Sequence, residues 1–139
     1  MEKIGGINMS KKIAIIASNG DMFSAYKVLN IAVAGATTDA EVCIFFTFEG
    51  VNMIHNQKMN ELELPTGKEH MVEGFKAAKV PSIPELVEMA QDLGVKFVIC
   101  QMTLDIMGLT LDQFVDGVES GGAVTFLQFA SDSDVTLTF

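Results

Sequence analysis

Arginine and tryptophan are both missing from this 139-residue chain, and tyrosine occurs once. Nine lysines face eighteen acids, for a net charge of −9. Nucleic-acid binders draw on basic patches and on arginine's bidentate contacts to bases and phosphates, so that class is excluded. An arginine finger and a bidentate carboxylate clamp are excluded with it. The acidity is uneven: from Val80 onward Lys96 is the one cation among nine acids, while the first 79 residues are near balance. A solvated acidic surface that keeps the protein soluble accounts for this.

Long apolar runs are lacking too. The longest candidate, Val28 to Ala36, contains Asn30 and falls short of the about 18 residues a membrane span needs. Lys11 and Lys12 precede the apolar stretch Ile13 to Ala17, but this is shorter than the about 7–15 residues of a signal peptide core. Ser18-Asn19-Gly20-Asp21 breaks it at once. Two cysteines, Cys43 and Cys100, are too few for a disulfide framework. The expectation is a cytoplasmic protein with reduced thiols and no membrane association. Residues 1–10 read as a poorly structured leader, with a second possible start at Met9, and 11–139 as one domain. Charged residues make up only 19% and hydrophobic residues 49%, which excludes disorder and calls for a covered sheet or an oligomer surface.

The patterning alternates strands and helices. Lys12 to Ala17, Glu41 to Thr47 and Val95 to Cys100 are short, continuous apolar runs of the kind buried on both faces of a parallel sheet. Between them, Met22 to Thr37 has helical spacing, with Asp21 or Asn19 as its cap and apolar residues around most of its circumference. That breadth points to a subunit contact. An irregular stretch from Asn56 to Lys68 precedes a short helix at about Glu69 to Ala78, with Met71, Phe75 and Ala78 on one face. Ser82-Ile83-Pro84-Glu85 reads as a capping box opening a helix that stops at Gly94. Thr110 to Gln113 reads as a second box, opening a helix to about Val118. Ala123 to Ala130 fits a helix, and Val135 to Phe139 alternates as a strand near a sheet edge. This order predicts a three-layer α/β/α sandwich with a mainly parallel sheet of four to five strands.

Reactive groups in such sheets collect beyond the carboxyl ends of the strands. Three ends are visible here: Ser18-Asn19-Gly20-Asp21, Thr47 to Asn52 including Phe48, and Cys100 to Gly108. They should lie side by side. Cys100 holds the last position of its strand, where backbone N–H groups of the following turn can stabilise a thiolate or persulfide. The competing reading is a small buried hydrophobe. Cys43, between Val42 and Ile44, is structural. Asp105, if close to Cys100, would oppose thiolate formation and reads better as a turn or cap residue. His55 and His70 fall in the irregular middle, where either is a candidate base for Cys100. Met53, Met59 and Met71 share that region but match no metal-binding spacing.

Four blocks together resemble the DsrE/DsrF-like family, in its small single-domain branch. They are Ser18-Asn19-Gly20-Asp21 with Ala25-Tyr26, Phe45 to Asn52, Val80 to Leu86, and Cys100-Gln101-Met102-Thr103-Leu104-Asp105-Ile106-Met107-Gly108. The resemblance covers about Lys11 to Phe139. It implies a sulfur relay protein, a persulfide carrier or sulfurtransferase, in which Cys100 accepts sulfane sulfur. It further implies a small sulfur-carrier protein as donor or acceptor, and a homotrimer or homohexamer. Ser18, Asn19, Gly20, Phe48, Asn52, Gln101, Met102 and Thr103 are the binding residues expected around the thiol, with no cofactor and no metal. The alternative is a non-catalytic oligomeric module that binds a small molecule or partner above the strand ends, with Cys100 only packing.

Overall fold

The computed structural model describes residues 11–139, together with the backbone of an antiparallel pair formed by Lys3–Ile4 and Ile7–Asn8. The rest of residues 1–10, read from the sequence as a leader, lies outside the described residues. Five parallel strands form the sheet: β1 (Lys12–Ala17), β2 (Glu41–Phe46), β3 (Lys96–Cys100), β4 (Glu119–Gly121) and β5 (Val135–Thr138). Their spatial order is β4-β3-β2-β1-β5. The chain steps from β1 through β2 and β3 to β4 in one direction, then returns to pair β5 with the far side of β1. Right-handed crossovers in opposite directions place their helices on opposite faces, which makes three layers.

Alternation along each strand divides the core. Ile15, Ala17, Val42, Ile44, Phe46, Phe97 and Ile99 face the larger side, covered by helix α1 (Met22–Thr37) and helix α3 (Ile83–Asp92). Ala14, Cys43, Phe45, Val98 and Cys100 face the smaller side, where Phe126 of helix α5 (Ala123–Ala130) packs on them. Burying each large aliphatic side chain of the larger side contributes about 1.5–3 kcal/mol. No helix among the described residues is long and apolar enough to cross a membrane.

Local signals explain the helix ends. Asp21 caps α1, its carboxylate accepting from the Ser24 N–H at 3.0 Å and from the Ser24 hydroxyl at 2.8 Å. Ser82 caps α3, accepting from the Glu85 N–H at 3.2 Å while its hydroxyl donates to the Glu85 carboxylate at 3.0 Å. The apolar breadth of α1 is absorbed by the sheet and α3: the helix carries none of the exposed large hydrophobic side chains.

Three segments differ from the expectation. Gln101–Met107 is not a loop but a helix, α4, closed by Gly108 at φ +65°. Thr110 does form a capping box with Gln113, yet only one 3-10 turn, Leu111–Gln113, follows. Phe114 then turns into the core and bridges His55 in antiparallel fashion, so tertiary pairing ends the helix. Glu119–Gly121 forms a further strand, β4, where the sequence pattern marks none. The short helix α2 (Val72–Ala78) forms as expected but buries no residue: Met71 and Ala78 are exposed, and Phe75 rests on Tyr26 at 5.0 Å between ring centroids.

Candidate functional site

The ends of β1, β2 and β3 lie side by side, as the sequence implies, with β2 in the middle. Cys100 ends β3 and is at once the N-cap of α4. Its neighbour across the sheet is Gly121 of β4. The first N–H groups of α4 have no carbonyl one turn back to bond within the helix. The Cys100 side chain itself is more enclosed than its position suggests. It is 7% exposed, within the smaller core with Phe45, Val98 and Phe126. The Phe45 and Phe126 rings lie 5.4 Å apart between centroids. The residue is therefore largely shielded from open solvent.

Around this thiol the expected binding residues divide. Thr103 is wholly buried in the first turn of α4. Its hydroxyl accepts from the Phe48 N–H at 2.9 Å and lies 3.3 Å from the Thr47 hydroxyl. It thus fastens the exit of β2 to the helix that Cys100 opens. Met102 is half exposed, and the Gln101 amide donates to Asp105 at 3.0 Å on the outer face of the helix. Asp105 is therefore a partner of Gln101 and does not orient the thiol.

Ser18 does structural work at the end of β1. Its N–H and hydroxyl both donate to the Phe139 carbonyl, at 2.7 and 2.8 Å, and close the gap between β1 and β5. Asn19 is exposed beside it. Gly20 lets the first two strand ends meet: a β-carbon there would stand 2.6 Å from the Glu49 carbonyl oxygen. Gly20 and Asn52 line a hollow of about 470 Å³ with Asp21, Glu49, Lys58 and Glu61. Asn52 Oδ1 is buried there without a hydrogen-bond partner among the described residues. Cys100 does not line this hollow. The strand ends thus carry two separate features, the Cys100–Thr103 turn and a polar hollow above β1 and β2.

The candidate bases fall away. His55 packs edge-on against Phe114 in the larger core, on the opposite face of the sheet from the Cys100 side chain. Its Nδ1 accepts from the N–H groups of Gln57 and Lys58 at 3.2 and 3.1 Å. Burial, helped by the Lys58 charge, holds its pKa below the ordinary value, and its ring serves as a turn brace. His70 is exposed on the rim of an apolar hollow on α2, beside Met71 and Phe75. Met53 is wholly buried while Met71 is exposed, so the methionines of this region form no common site. Among the described residues no group of three or more His, Cys, Asp or Glu is placed to hold a metal. Sequence reasoning missed Gly121 and Phe126 as neighbours of Cys100. The only available signal was the Gly121-Gly122 pair ahead of the last helix, which marks a close approach without saying to what.

Comparison with known proteins fits this geometry. A profile of the DsrE/DsrF/DrsH-like family matches residues 9–74 and 58–138. The sulfur carrier protein DsrE2 of Allochromatium vinosum is 32% identical, over 91% of this chain and 97% of its own. YrkE of Bacillus subtilis is 29% identical, over 92% of this chain and 96% of its own. The crystal structure of YchN from E. coli superposes with a TM-score of 0.69 at 21% identity, covering 93% of this chain and 99% of that one, and so shares the fold. On these matches, and with the parallel sheet and the Cys100 turn in place, the chain belongs to the DsrE/DsrF/DrsH-like family.

Proposed function

We propose that the protein is a sulfur carrier in which Cys100 holds sulfane sulfur as a persulfide. The observation that carries this reading is the position of Cys100, at a strand end and at the first turn of α4, in a chain 32% identical to a named sulfur carrier protein. The chemistry needs few groups. The Cys100 thiolate attacks the outer sulfur of a donor persulfide, R–S–SH. A sulfur–sulfur bond forms at Cys100, the donor's sulfur–sulfur bond breaks, and the donor leaves as a thiolate that takes up a proton from water. An acceptor thiolate then attacks the terminal sulfur and restores the Cys100 thiolate, so sulfur moves without net oxidation. Backbone N–H groups of the turn after Cys100 stabilise the anion at each stage. The donor or acceptor is a small sulfur-carrier protein, and the working form is a homotrimer or homohexamer.

The hollow above β1 and β2 favours one other reading, a module that binds a small polar molecule while Cys100 only packs. Intact mass after incubation with a persulfide donor separates the two. Under the carrier reading the wild-type protein gains about 32 Da per sulfur atom, loses it on reduction, and Cys100→Ser gains nothing. No gain in the folded wild type would move the assignment to the binding module.

A further inference from the structure

A bulky residue at positive φ is a genuine backbone outlier, and such strain persists only where the surroundings over-determine it. Phe48 has φ +48°. The residue is 47% exposed, so burial of the aromatic does not explain the conformation. The main chain around it does. The Thr47 N–H donates to the Ala17 carbonyl at 2.9 Å and the Gly50 N–H to the Thr47 carbonyl at 3.0 Å. A β-carbon on Gly50 would collide with that same Ala17 carbonyl, so the turn is pressed against β1. The remaining restraint is the buried Thr103 hydroxyl, which accepts the Phe48 N–H. Valine would fill the Thr103 site equally well as a shape, so packing does not account for the hydroxyl. Its role is the polar link between a strained strand exit and the helix turn that Cys100 begins.

We propose that Thr103 is a positioning residue for Cys100: its hydroxyl clasps the strained Phe48 backbone and so fixes the turn in which the thiol exchanges sulfur. The inference rests on the sulfur-carrier reading. Loss of the clasp lets Phe48 relax to negative φ, frees the exit of β2, and loosens the first turn of α4. In-line attack on a sulfur–sulfur bond tolerates little displacement of the nucleophile.

The test compares the wild type, Thr103→Val, Thr103→Ser, Phe48→Gly and the Phe48→Gly/Thr103→Val double variant. Two rates are read at Cys100 by peptide mass: alkylation by iodoacetamide across pH, and sulfur uptake from a persulfide donor. Thermal melting of each variant checks folding. Thr103→Val is expected to slow sulfur uptake by about tenfold or more and to displace the pH profile of alkylation, while still melting cooperatively. Thr103→Ser keeps the hydroxyl and recovers both. Glycine adopts positive φ without strain, so the double variant returns to within about twofold of Phe48→Gly. Thr103→Val rates equal to the wild type, or a double variant as slow as Thr103→Val, would overturn the proposal. Should Thr103→Val fail to melt cooperatively, recovery of folding in the double variant supports the clasp, and continued failure counts against it. A wild type that takes up no sulfur defeats the carrier reading alone, because the alkylation rates still judge the clasp.

Discussion

The two cysteines differ by position on neighbouring strands of one sheet face. Cys43 sits in mid-strand, paired in register with Ala14 and Lys96, and is 2% exposed. Burial pushes its thiol up from 9.0 to about 11, against a smaller opposing pull from Lys96. Because the folded protein holds this proton more tightly than the unfolded chain, the contribution to stability is full below about pH 9 and is lost as pH rises through about 11. Cys43→Ala removes that dependence. Urea unfolding at pH 8 and pH 10.5 should show the wild type losing on the order of 1–2 kcal/mol more than the variant over this interval. Parallel losses in the two proteins would contradict the assignment. Cys100 is four residues further along its strand than Lys96, the partner of Cys43. At about 3.3 Å per residue the two sulfurs are far too distant for a disulfide, so each must be judged alone.

Among the elements, helices with strong ends were the legible ones. Asp21 and Ser82 stand where a cap is needed, and α1 and α3 begin one residue after them. Hydrogen bonds from the Ser24 hydroxyl and N–H and from backbone N–H groups outweigh the effect of burial, which alone would raise the Asp21 carboxyl, and hold its pKa below 3.8. The cap therefore contributes above pH 3.8 and is lost as pH falls through the lower, folded value. Asp21→Ala should cost about 1 kcal/mol at pH 7 in denaturant unfolding, with the difference shrinking in acid. A variant equally destabilised at pH 7 and well below pH 3 would show that the carboxylate is not the source. The elements that were not legible have inverted or absent patterns. In α4 the polar Thr103 points inward while Met102 and Ile106 point out, so no amphipathic stripe marks a helix. The capping box at Thr110 is real, but Phe114 pairs with His55 and ends the helix after one turn. The strand Glu119–Gly121 has no apolar signal at all and is held by its backbone pairing to β3. It lies beside Cys100, so of this candidate site the sequence marks the thiol and not its enclosure.

For the whole molecule, the two sheet faces are covered unequally. One carries α1 and α3, and the other carries the eight-residue α5. Several exposed apolar side chains lie on the helices that border Cys100, among them Met102 and Ile106 on α4 and Val124 and Leu127 on α5. By contrast α1, whose apolar circumference first suggested a subunit contact, leaves no large hydrophobic residue exposed. If copies of the chain associate, these exposed side chains of α4 and α5 are a surface that gains by being covered. Burying each of these side chains contributes about 1.5–3 kcal/mol, so four of them on each copy outweigh a typical association cost only if they are buried together. An Ile106→Glu/Leu127→Glu variant would place charges in such a contact, yet both positions are open to water in the single chain and should leave its melting nearly unchanged. Sedimentation at about 10 μM should then show the wild type as a trimer or hexamer and the variant as a monomer, a loss of several kcal/mol per contact. A wild type that sediments as a monomer would remove the oligomer from the functional picture. An oligomer that survives both substitutions would move the contact to another face.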